Sequence, residues 1–360
     1  MAILWQKIQI ALSKMKNEII EYMKETSRKS DDCTLSLVDS LKEEGKEIHT
    51  YTNHLPHLRN RLVNGNMAIP KSRNALGRLV FESFSEEDWT TISPILSFIE
   101  LSTVATYVLD DIIDHQPTRQ GEEATWKKYG VNQGIIAGGL QTFLAYQALD
   151  KLKTSDKNLL RIQQLANRMW LRLWIGEGFN EEMREGTTIE EYTKRSYDIC
   201  GVMFGTIAQS VAVHAGASEP QIQLASEIGI NYGLATMIRN DLVDLLPKVQ
   251  KHSKALTKEP YEDVNKGIWT YPIIYAAQHG KDEERRIIRE TLGNSCSPEQ
   301  YAQFQRVLSE TGAIKATLDL ITSYKEKTNQ KIKELPEKPS KKLLFELTEA
   351  LENLRGYAKN

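Results

Sequence analysis

Three aspartates interrupt an apolar run of the 360-residue chain, in the stretch YVLDDIIDHQPTRQG that begins at Tyr107. The spacing of Asp110, Asp111 and Asp114 places the first and last on one helix face, because residues i and i+4 lie one turn apart. Carboxylates this close repel one another unless cations or protons intervene. Clustered oxygen ligands are typical of Mg²⁺ sites that also bind phosphate oxygens. The alternative is an exposed acidic helix face.

A second oxygen-rich pattern with the same spacing follows in MIRNDLVDLL, at Asn240, Asp241 and Asp244. Two such faces on separate helices would converge across a cavity, where Mg²⁺ would neutralise the charge that develops on a leaving diphosphate. Arg119 follows the first pattern on a loop, and arginine binds phosphate oxygens bidentately. Lysines that follow the second pattern would either close over a diphosphate or form a solvated linker: Lys248, Lys251, Lys254 and Lys258.

Helical periodicity dominates the sequence around these patterns. Apolar residues recur at steps of three and four, and no proline occurs between Pro117 and Pro220. We predict an all-α fold of roughly twelve helices, without convincing strands or hairpins. Residues 1–50 form a helical extension in this interpretation, and residues 51–360 form the main domain. A polar loop is predicted within this extension, at residues 26–34. The extension would pack on the main domain or on a second subunit, or it would lie on a membrane surface.

Composition argues against several other classes of protein. The net charge of −2 gives no reason to expect a nucleic-acid partner. The three cysteines form neither a CxxC pattern nor a disulfide framework, which predicts a cytoplasmic protein. No apolar run approaches the roughly 20 residues of a membrane span, so we expect no transmembrane segment. The first residues are too polar for a signal peptide.

Six stretches of the sequence resemble the trans-isoprenyl diphosphate synthase superfamily: IELSTVATYVLDDIID, TRQG, GIIAGGLQTFLAYQAL, WIGEGFNEE, MIRNDLVDLL and DVNKGIWTYPIIYA. The resemblance extends from Ile69 to Ala276. It implies a class I isoprenoid synthase bundle around a deep central cavity. It also implies three Mg²⁺ ions between the two motifs and an allylic prenyl diphosphate, which ionises to a carbocation. Family members are commonly dimers, so the resemblance implies a homodimer.

The resemblance also assigns roles to individual residues. The implied metal ligands are Asp110, Asp111, Asp114, Asn240, Asp241 and Asp244. The implied catalytic residues are Asp110, Asp114 and Arg119, and the implied diphosphate-binding residues are Arg119, Lys258, Arg73 and Arg239. The cavity wall next to the first motif is assigned to small side chains that leave room for a C15 or longer chain, namely Ser102, Ala105 and Thr106.

The sequence departs from the family mainly where isopentenyl diphosphate, the second diphosphate, would bind. Pro70, Thr103 and Gln120 stand where the family has a lysine, a histidine or glutamine, and an arginine. Each lost charge-assisted bond removes about 1.5–3 kcal/mol of binding free energy. Isopentenyl diphosphate is therefore expected to bind poorly, unless Lys71 and Arg78 substitute for the missing groups.

The allylic side departs from the family at fewer positions. Ile199 and Cys200 stand where the family has a Lys-Thr pair. Glu177 and Asn180 stand where the family has the glutamine and the aspartate of a Gln-x-x-Asp pattern. The second motif begins with the neutral Asn240, which still offers a carbonyl oxygen to a metal. These changes predict an altered metal affinity.

Four functions remain open at this point. The neutral second site favours a terpene synthase-like enzyme that ionises a preformed allylic diphosphate and cyclises or quenches the cation. The altered second motif also resembles bacterial enzymes that prenylate a peptide tryptophan, so a peptide acceptor is an alternative. A third possibility is a chain-elongating prenyl diphosphate synthase with a remodelled site. The fourth is a non-catalytic partner subunit, against which the intact DDIID sequence argues.

Overall fold

The computed structural model describes residues 17–44, 72–119, 122–246 and 261–352, and it confirms the predicted all-α fold. The first helices are α1 (Asn17–Glu44), α2 (Ser72–Phe84), α3 (Ser93–Ile113), α4 (Thr125–Tyr129), α5 (Val131–Asp150), α6 (Asp156–Glu182), α7 (Ile189–Ser196), α8 (Val202–His214) and α9 (Glu219–Asp244). They are followed by α10 (Glu262–Asn265), α11 (Tyr271–His279), α12 (Asp282–Thr291), α13 (Pro298–Glu310), α14 (Ala313–Lys333) and α15 (Pro339–Glu349).

Short elements connect some of these helices. Turns of 3₁₀-helix at Trp89–Ile92 and Ala350–Glu352 precede α3 and follow α15. A π-turn, Tyr197–Gly201, joins α7 to α8. Strands β1 (Thr118–Arg119) and β2 (Glu122–Glu123) pair antiparallel just after α3. The sequence analysis predicted no hairpin, because strands of two residues are too short to show an alternating pattern.

Helix α8 lies at the centre of the bundle. Its residues are buried on nearly every side, and it packs against α2, α6 and α9. A helix that is apolar all round is typical of a protein core. Helix α3 packs along α5, and α9 packs along both α8 and α14. The two helices that carry the acidic patterns are therefore held against the same core.

Glycines allow α8 and α9 to approach at backbone distance. A Cβ added at Gly229 would lie 2.3 Å from the carbonyl oxygen of Phe204, and one added at Gly233 would lie 2.9 Å from the Cα of Gly201. A larger residue at either position would force the helices apart, because the core is close-packed. This contact fixes the position of α9, and with it the second acidic pattern.

The N-terminal segment corrects the loop predicted at residues 26–34, because α1 is continuous through it. The hydroxyls of Thr26 and Thr34 donate to carbonyl oxygens four residues back, at 2.8 and 2.9 Å, so their polarity does not end the helix. The Ser30 hydroxyl accepts from Asn74 Nδ2 at 2.7 Å and ties α1 to α2. The described part of the extension thus packs on the main domain. The boundary predicted at residue 50 lies outside the described residues.

One described segment is long and apolar enough to cross a membrane by length and composition alone. It runs from Trp89 to Ile113 and consists mostly of α3. In its apolar window, 78% of the residues are buried inside the protein. The apolar character of α3 is thus that of a helix packed in the bundle core.

Candidate active site

Three long helices end around one cavity of about 210 Å³. Asp110 near the end of α3, Asn180 near the end of α6 and Asp241 near the end of α9 all line it. A helix C-terminus carries a partial negative charge of about half an elementary charge. Three such ends, together with their carboxylates, make the cavity mouth favourable for cations.

The first wall of this cavity consists of Asp110, Asp114 and Glu177. One carboxylate oxygen from each of the three lies within 4.8 Å of the others. Glu177 reaches this position because α6 approaches the π-turn closely. A Cβ added at Gly176 would lie 2.8 Å from Asp198 Cβ. The sequence analysis noted the glutamate but did not assign it to the metal site, because only the fold brings α6 beside α3.

The environment of Glu177 is suited to a divalent cation. Burial raises the pKa of Glu177 to about 7, and the carboxylates of Asp110 and Asp114 raise it in addition. Its buried Oε1 has no hydrogen-bond partner among the described residues. A Mg²⁺ ion would provide that partner and favour the ionised carboxylate. The all-oxygen donor set of the first wall therefore fits Mg²⁺.

Asp111 has a different environment from its two neighbours in the motif. It is fully buried, lies outside the cavity lining, and accepts a hydrogen bond from Arg119 Nε. Arg119 lies in strand β1, and its Nη2 donates to Asp110 Oδ2 at 2.5 Å. Burial lowers the pKa of Arg119, but the two aspartates outweigh burial and raise the pKa overall. Asp111 thus orients the arginine that the sequence assigned to the diphosphate.

The second wall consists of Asn240, Asp241 and Asp244, of which the first two line the cavity. Asp241 is buried and accepts from the Tyr192 hydroxyl at 2.7 Å. It also pairs with Arg195 Nη1 at 3.7 Å. The Asp241 carboxylate therefore has protein partners on more than one side.

Asp244 lies outside the cavity lining and caps helix α10. Its carboxylate accepts from the backbone N–H groups of Glu262 at 2.9 Å and Asp263 at 3.2 Å. A carboxylate at a helix N-terminus satisfies N–H groups that have no partner within the helix. The residue is 1% exposed. Its hydrogen bonds connect the end of α9 to the start of helix α10.

Arg195 lines the cavity, although the sequence analysis gave it no role. It precedes the Ile199-Cys200 pair by one turn, and the π-turn between them lets Arg195, Ile199 and Cys200 all line the cavity. Its Nε and Nη2 donate to Asn180 Oδ1 at 3.0 and 2.7 Å. The side chain is almost fully buried, and its Nη1 has no hydrogen-bond acceptor among the described residues. A cation is therefore present although the expected lysine is absent.

Lys266 also has a place in the site that the sequence analysis did not assign. Its ammonium group donates to Asp114 Oδ2 at 2.5 Å and to Glu262 Oε1 at 2.7 Å. It thereby connects the first wall to helix α10. Lys266 was visible in the stretch DVNKGIWTYPIIYA, but the diphosphate role was given to Lys258, which lies outside the described residues.

The two other arginines assigned to the diphosphate lie in different environments. Arg73 lines the cavity, and its buried Nε has no hydrogen-bond partner among the described residues. Its guanidinium lies over the Phe204 ring at 5.4 Å. Arg239 lies outside the cavity lining, where burial lowers its pKa and the nearby Tyr232 opposes that effect. A diphosphate role for Arg239 stays a prediction.

The predicted cavity wall on α3 is only partly at the cavity. Thr106 lines it, whereas Ser102 and Ala105 are fully buried outside its lining. The three positions lie on one face of α3, because they are spaced at i, i+3 and i+4, but that face also packs against other helices of the bundle. Thr103, which replaces a polar family residue, donates its hydroxyl to the Ile99 carbonyl at 2.8 Å.

Comparisons with known proteins agree with this architecture. The chain is 26% identical over 206 residues to a geranylgeranyl diphosphate synthase of Sulfolobus acidocaldarius, covering 56% of this chain and 61% of that protein. It is 24% identical over 256 residues to a decaprenyl-diphosphate synthase of Dictyostelium discoideum, covering 71% of this chain and 53% of that protein. The chain therefore spans less than two thirds of the length of these two relatives.

Solved structures share the fold over nearly the whole chain. A geranylgeranyl pyrophosphate synthetase from Pyrococcus horikoshii matches with a TM-score of 0.81 and 21% identity, covering 93% of this chain and 98% of that chain. A geranylgeranyl pyrophosphate synthase from Corynebacterium glutamicum, complexed with isoprenyl diphosphate and magnesium, matches with a TM-score of 0.81 and 20% identity, covering 91% and 98%. Residues 66–310, more than half of the sequence, match the polyprenyl synthetase family model, and the chain therefore belongs to the polyprenyl synthetase family.

Proposed function

We propose that the protein is a Mg²⁺-dependent prenyl diphosphate synthase that extends an allylic diphosphate with isopentenyl diphosphate. The observation that carries this proposal is the convergence of both acidic patterns on one cavity, with Asp110, Asp114 and Glu177 facing Asn240 and Asp241. The relatives that are named as chain-elongating synthases support elongation more than the cyclisation that the sequence analysis favoured.

The chain supplies binding and charge to this reaction. Asp110, Asp114 and Glu177 would hold Mg²⁺, which when bound neutralises the charge on the leaving diphosphate. Arg195 and Lys266 carry N–H donors at the mouth that would bind phosphate oxygens and fix the orientation of the allylic carbon. The apolar walls below the mouth would exclude water, so that an alkene rather than water meets the cation.

Binding of the second diphosphate would depend chiefly on Arg73. Arg73 lines the cavity, and its buried Nε lacks a partner among the described residues, so a bound anion would supply the missing acceptor. Thr103 cannot contribute in the same conformation, because its hydroxyl is bonded within α3. We therefore expect a high KM for isopentenyl diphosphate. The small number of groups that could bind a second diphosphate also supports the second candidate function, a terpene synthase that needs only one diphosphate substrate.

Product analysis distinguishes these functions. Purified protein would be incubated with Mg²⁺ and geranyl, farnesyl or geranylgeranyl diphosphate, with and without radiolabelled isopentenyl diphosphate. Chain elongation predicts labelled, longer prenyl alcohols after phosphatase treatment, and none with Asp110→Asn. Hydrocarbons formed without isopentenyl diphosphate would favour the terpene synthase. Absence of both products would contradict both functions.

A homodimer is part of this proposal. Within the described residues, strongly exposed large apolar side chains gather on two consecutive helices, α5 and α6: Val131, Ile135, Ile136, Phe143, Leu160, Leu171, Trp174 and Ile175. An apolar face of this size is typical of an interface, and a second copy of this chain is the partner that the family resemblance implies. Sedimentation should show a dimer that Phe143→Glu weakens and the exposed control Gln303→Glu does not.

A further inference from the structure

Helix α10 has only four residues, yet it contributes side chains to the cavity mouth. Asp263 lines the cavity, and Lys266, which caps the C-terminus of the helix, donates to Asp114 Oδ2 at 2.5 Å. Isolated helices shorter than about 12 residues are marginal in water. The position of α10 therefore depends on the elements that it contacts.

Two of these contacts involve the acidic motifs. Asp244 caps the N-terminus of α10, and the Tyr261 N–H donates to the Asp244 carbonyl at 3.1 Å. At the other end, the Lys266 ammonium group contacts Asp114. A metal ion held by Asp114 would compete with that ammonium group, because cations repel each other. The contact to the first motif is thus one that a loaded site would weaken.

Helix α13 provides a third contact, on residues that do not line the cavity. The Tyr301 hydroxyl donates to Asn265 Oδ1 at 2.5 Å, and its ring stacks on Tyr261 with centroids 4.1 Å apart and planes 4° apart. One turn further along α13, Gln305 Nε2 donates to the carbonyl of Leu245, the residue after α9. One side of α13 thus contacts both α10 and the end of α9.

Tyr261 has a backbone conformation that its residue type rarely adopts. Its φ is 63°, in the left-handed region, where a bulky side chain is strained. Such conformations persist only where the surrounding contacts hold them. The residue is 8% exposed, and its ring lies against that of Tyr301. The strain indicates that the contact between the two rings is needed at this position.

We propose that Tyr301 is a positioning residue of the active site, which holds α10 so that Asp263 and Lys266 stay at the cavity mouth when Mg²⁺ and a diphosphate bind. This inference rests on the proposed function and adds to it a residue outside the cavity lining. Tyr301 acts through its two partners, Tyr261 and Asn265. The alternative is that Tyr301 only packs α13 on the bundle, in which case its loss would lower stability without a specific effect on binding.

The test measures the binding of inorganic pyrophosphate by calorimetry at saturating Mg²⁺, in wild type, Tyr301→Phe and Tyr301→Leu. Tyr301→Phe keeps the stacked ring and loses one hydrogen bond, whereas Tyr301→Leu loses both. We expect pyrophosphate affinity to fall by about threefold or less in Tyr301→Phe and by about tenfold in Tyr301→Leu, from the usual strengths of a hydrogen bond and an aromatic pair. Unchanged affinity in a folded Tyr301→Leu protein would overturn the inference.

Tyr324→Leu is the matched control, because Tyr324 is a half-buried tyrosine of α14 outside the cavity lining. It should lower the midpoint of thermal unfolding and leave pyrophosphate affinity unchanged. An equal loss of affinity in Tyr324→Leu would assign the effect to general destabilisation and contradict a specific role for Tyr301. Backbone contacts of α10 remain in Tyr301→Leu, among them the bond from the Gly293 N–H to the Val264 carbonyl at 2.9 Å, so we expect this variant to fold.

A comparison in the Lys266→Ala background tests whether Tyr301 acts through α10. If it does, Tyr301→Phe and Tyr301→Leu should each weaken pyrophosphate binding less in that background than in wild type, because the ammonium group that they displace is already absent. Equal effects in both backgrounds would show that Tyr301 does not act through Lys266 and would overturn the inference. Tyr301→Phe keeps this comparison available if Tyr301→Leu does not fold.

Elongation assays separate this inference from the proposed function. Weaker pyrophosphate binding in Tyr301→Leu, without any elongation by wild type, would contradict only the proposed function. Elongation by wild type, with unchanged pyrophosphate affinity and an unchanged KM for the allylic diphosphate in Tyr301→Leu, would contradict only the role of Tyr301.

Discussion

The two acidic motifs have the same residue spacing but different partners. In the first motif, Asp110 and Asp114 bring their oxygens together with Glu177 at the cavity, where side chains of Arg119 and Lys266 donate to them. In the second motif, Asp241 accepts from Tyr192, and Asp244 accepts from backbone N–H groups. Spacing along a helix thus determines which face a carboxylate occupies. The neighbouring elements determine whether its partner is a cationic side chain at the cavity or a neutral donor of the protein.

The same contrast occurs within the first motif. Asp110 and Asp114 line the cavity, while Asp111 is buried against Arg119. Each acidic motif therefore combines side chains that line the cavity with a buried aspartate that positions another group. We infer that Asp111 and Asp244 act as positioning residues, although the sequence analysis assigned both to the metal.

Removing a carboxylate from the first wall should have the largest effect. Asp110→Asn leaves the shape unchanged but removes a charged metal ligand. We expect kcat to fall by about a thousandfold or more, which corresponds to about 4 kcal/mol of transition-state stabilisation. Steady-state kinetics with saturating Mg²⁺ would measure this loss. The exposed Asp150→Asn serves as the control, and equal activity of the two variants would remove the first wall from the mechanism.

Asp244→Ala should affect stability more than chemistry. It deprives two buried N–H groups of their acceptor, so the free energy of unfolding should fall by about 2–4 kcal/mol in urea titrations. The exposed Asp319→Ala should change it by less than about 0.5 kcal/mol. A stable Asp244→Ala protein that has lost Mg²⁺ binding would instead identify Asp244 as a metal ligand.

Glu177→Gln should stabilise the metal-free protein at alkaline pH. The folded pKa of about 7 exceeds the ordinary value of 4.5. The stabilising contribution of the protonated group is therefore complete below the unfolded pKa, and it is lost as pH rises through 7. The variant should raise the free energy of unfolding at pH 8 by about 1–3 kcal/mol and weaken Mg²⁺ binding. Glu182→Gln, exposed on the same helix, is the control, and an identical pH profile for both proteins would contradict the assignment.

Asn240→Asp should have the smallest effect and tests the second wall directly. It adds one carboxylate at the mouth, where Asn240 is exposed. We expect Mg²⁺ affinity measured by calorimetry to rise by about tenfold or less, since exposed charges are well screened. Asn294→Asp, at an exposed position away from the cavity lining, should leave the affinity unchanged. Weaker Mg²⁺ binding in Asn240→Asp would show that the second wall selects against additional charge.

The sequence was sufficient for the fold class and for the meeting of the two acidic patterns at one cavity. Helical periodicity and the i, i+4 spacing depend only on local geometry, and both are visible in the chain. Glu177 and Arg195 were not assigned, because their contacts join α6 and α7 to other helices. Arg195 was harder to identify for a second reason, because it lies one helical turn before Ile199, the position where the family has a lysine. Residues 26–34 were assigned to a loop because their composition is polar, yet hydroxyls that donate within the helix do not end it.

Lys266 has a consequence for the order of events at the mouth. Its ammonium group occupies an oxygen of Asp114 while also contacting Glu262 on helix α10, whose N-terminus Asp244 caps. A magnesium ion held by Asp114 would compete with the ammonium group for that oxygen, since two cations at one carboxylate oxygen repel each other. In that case Lys266 would be left beside the phosphate oxygens of a bound diphosphate. We infer that Lys266 neutralises the acidic cluster when no metal ion is bound and would offer its ammonium group to the substrate when one is.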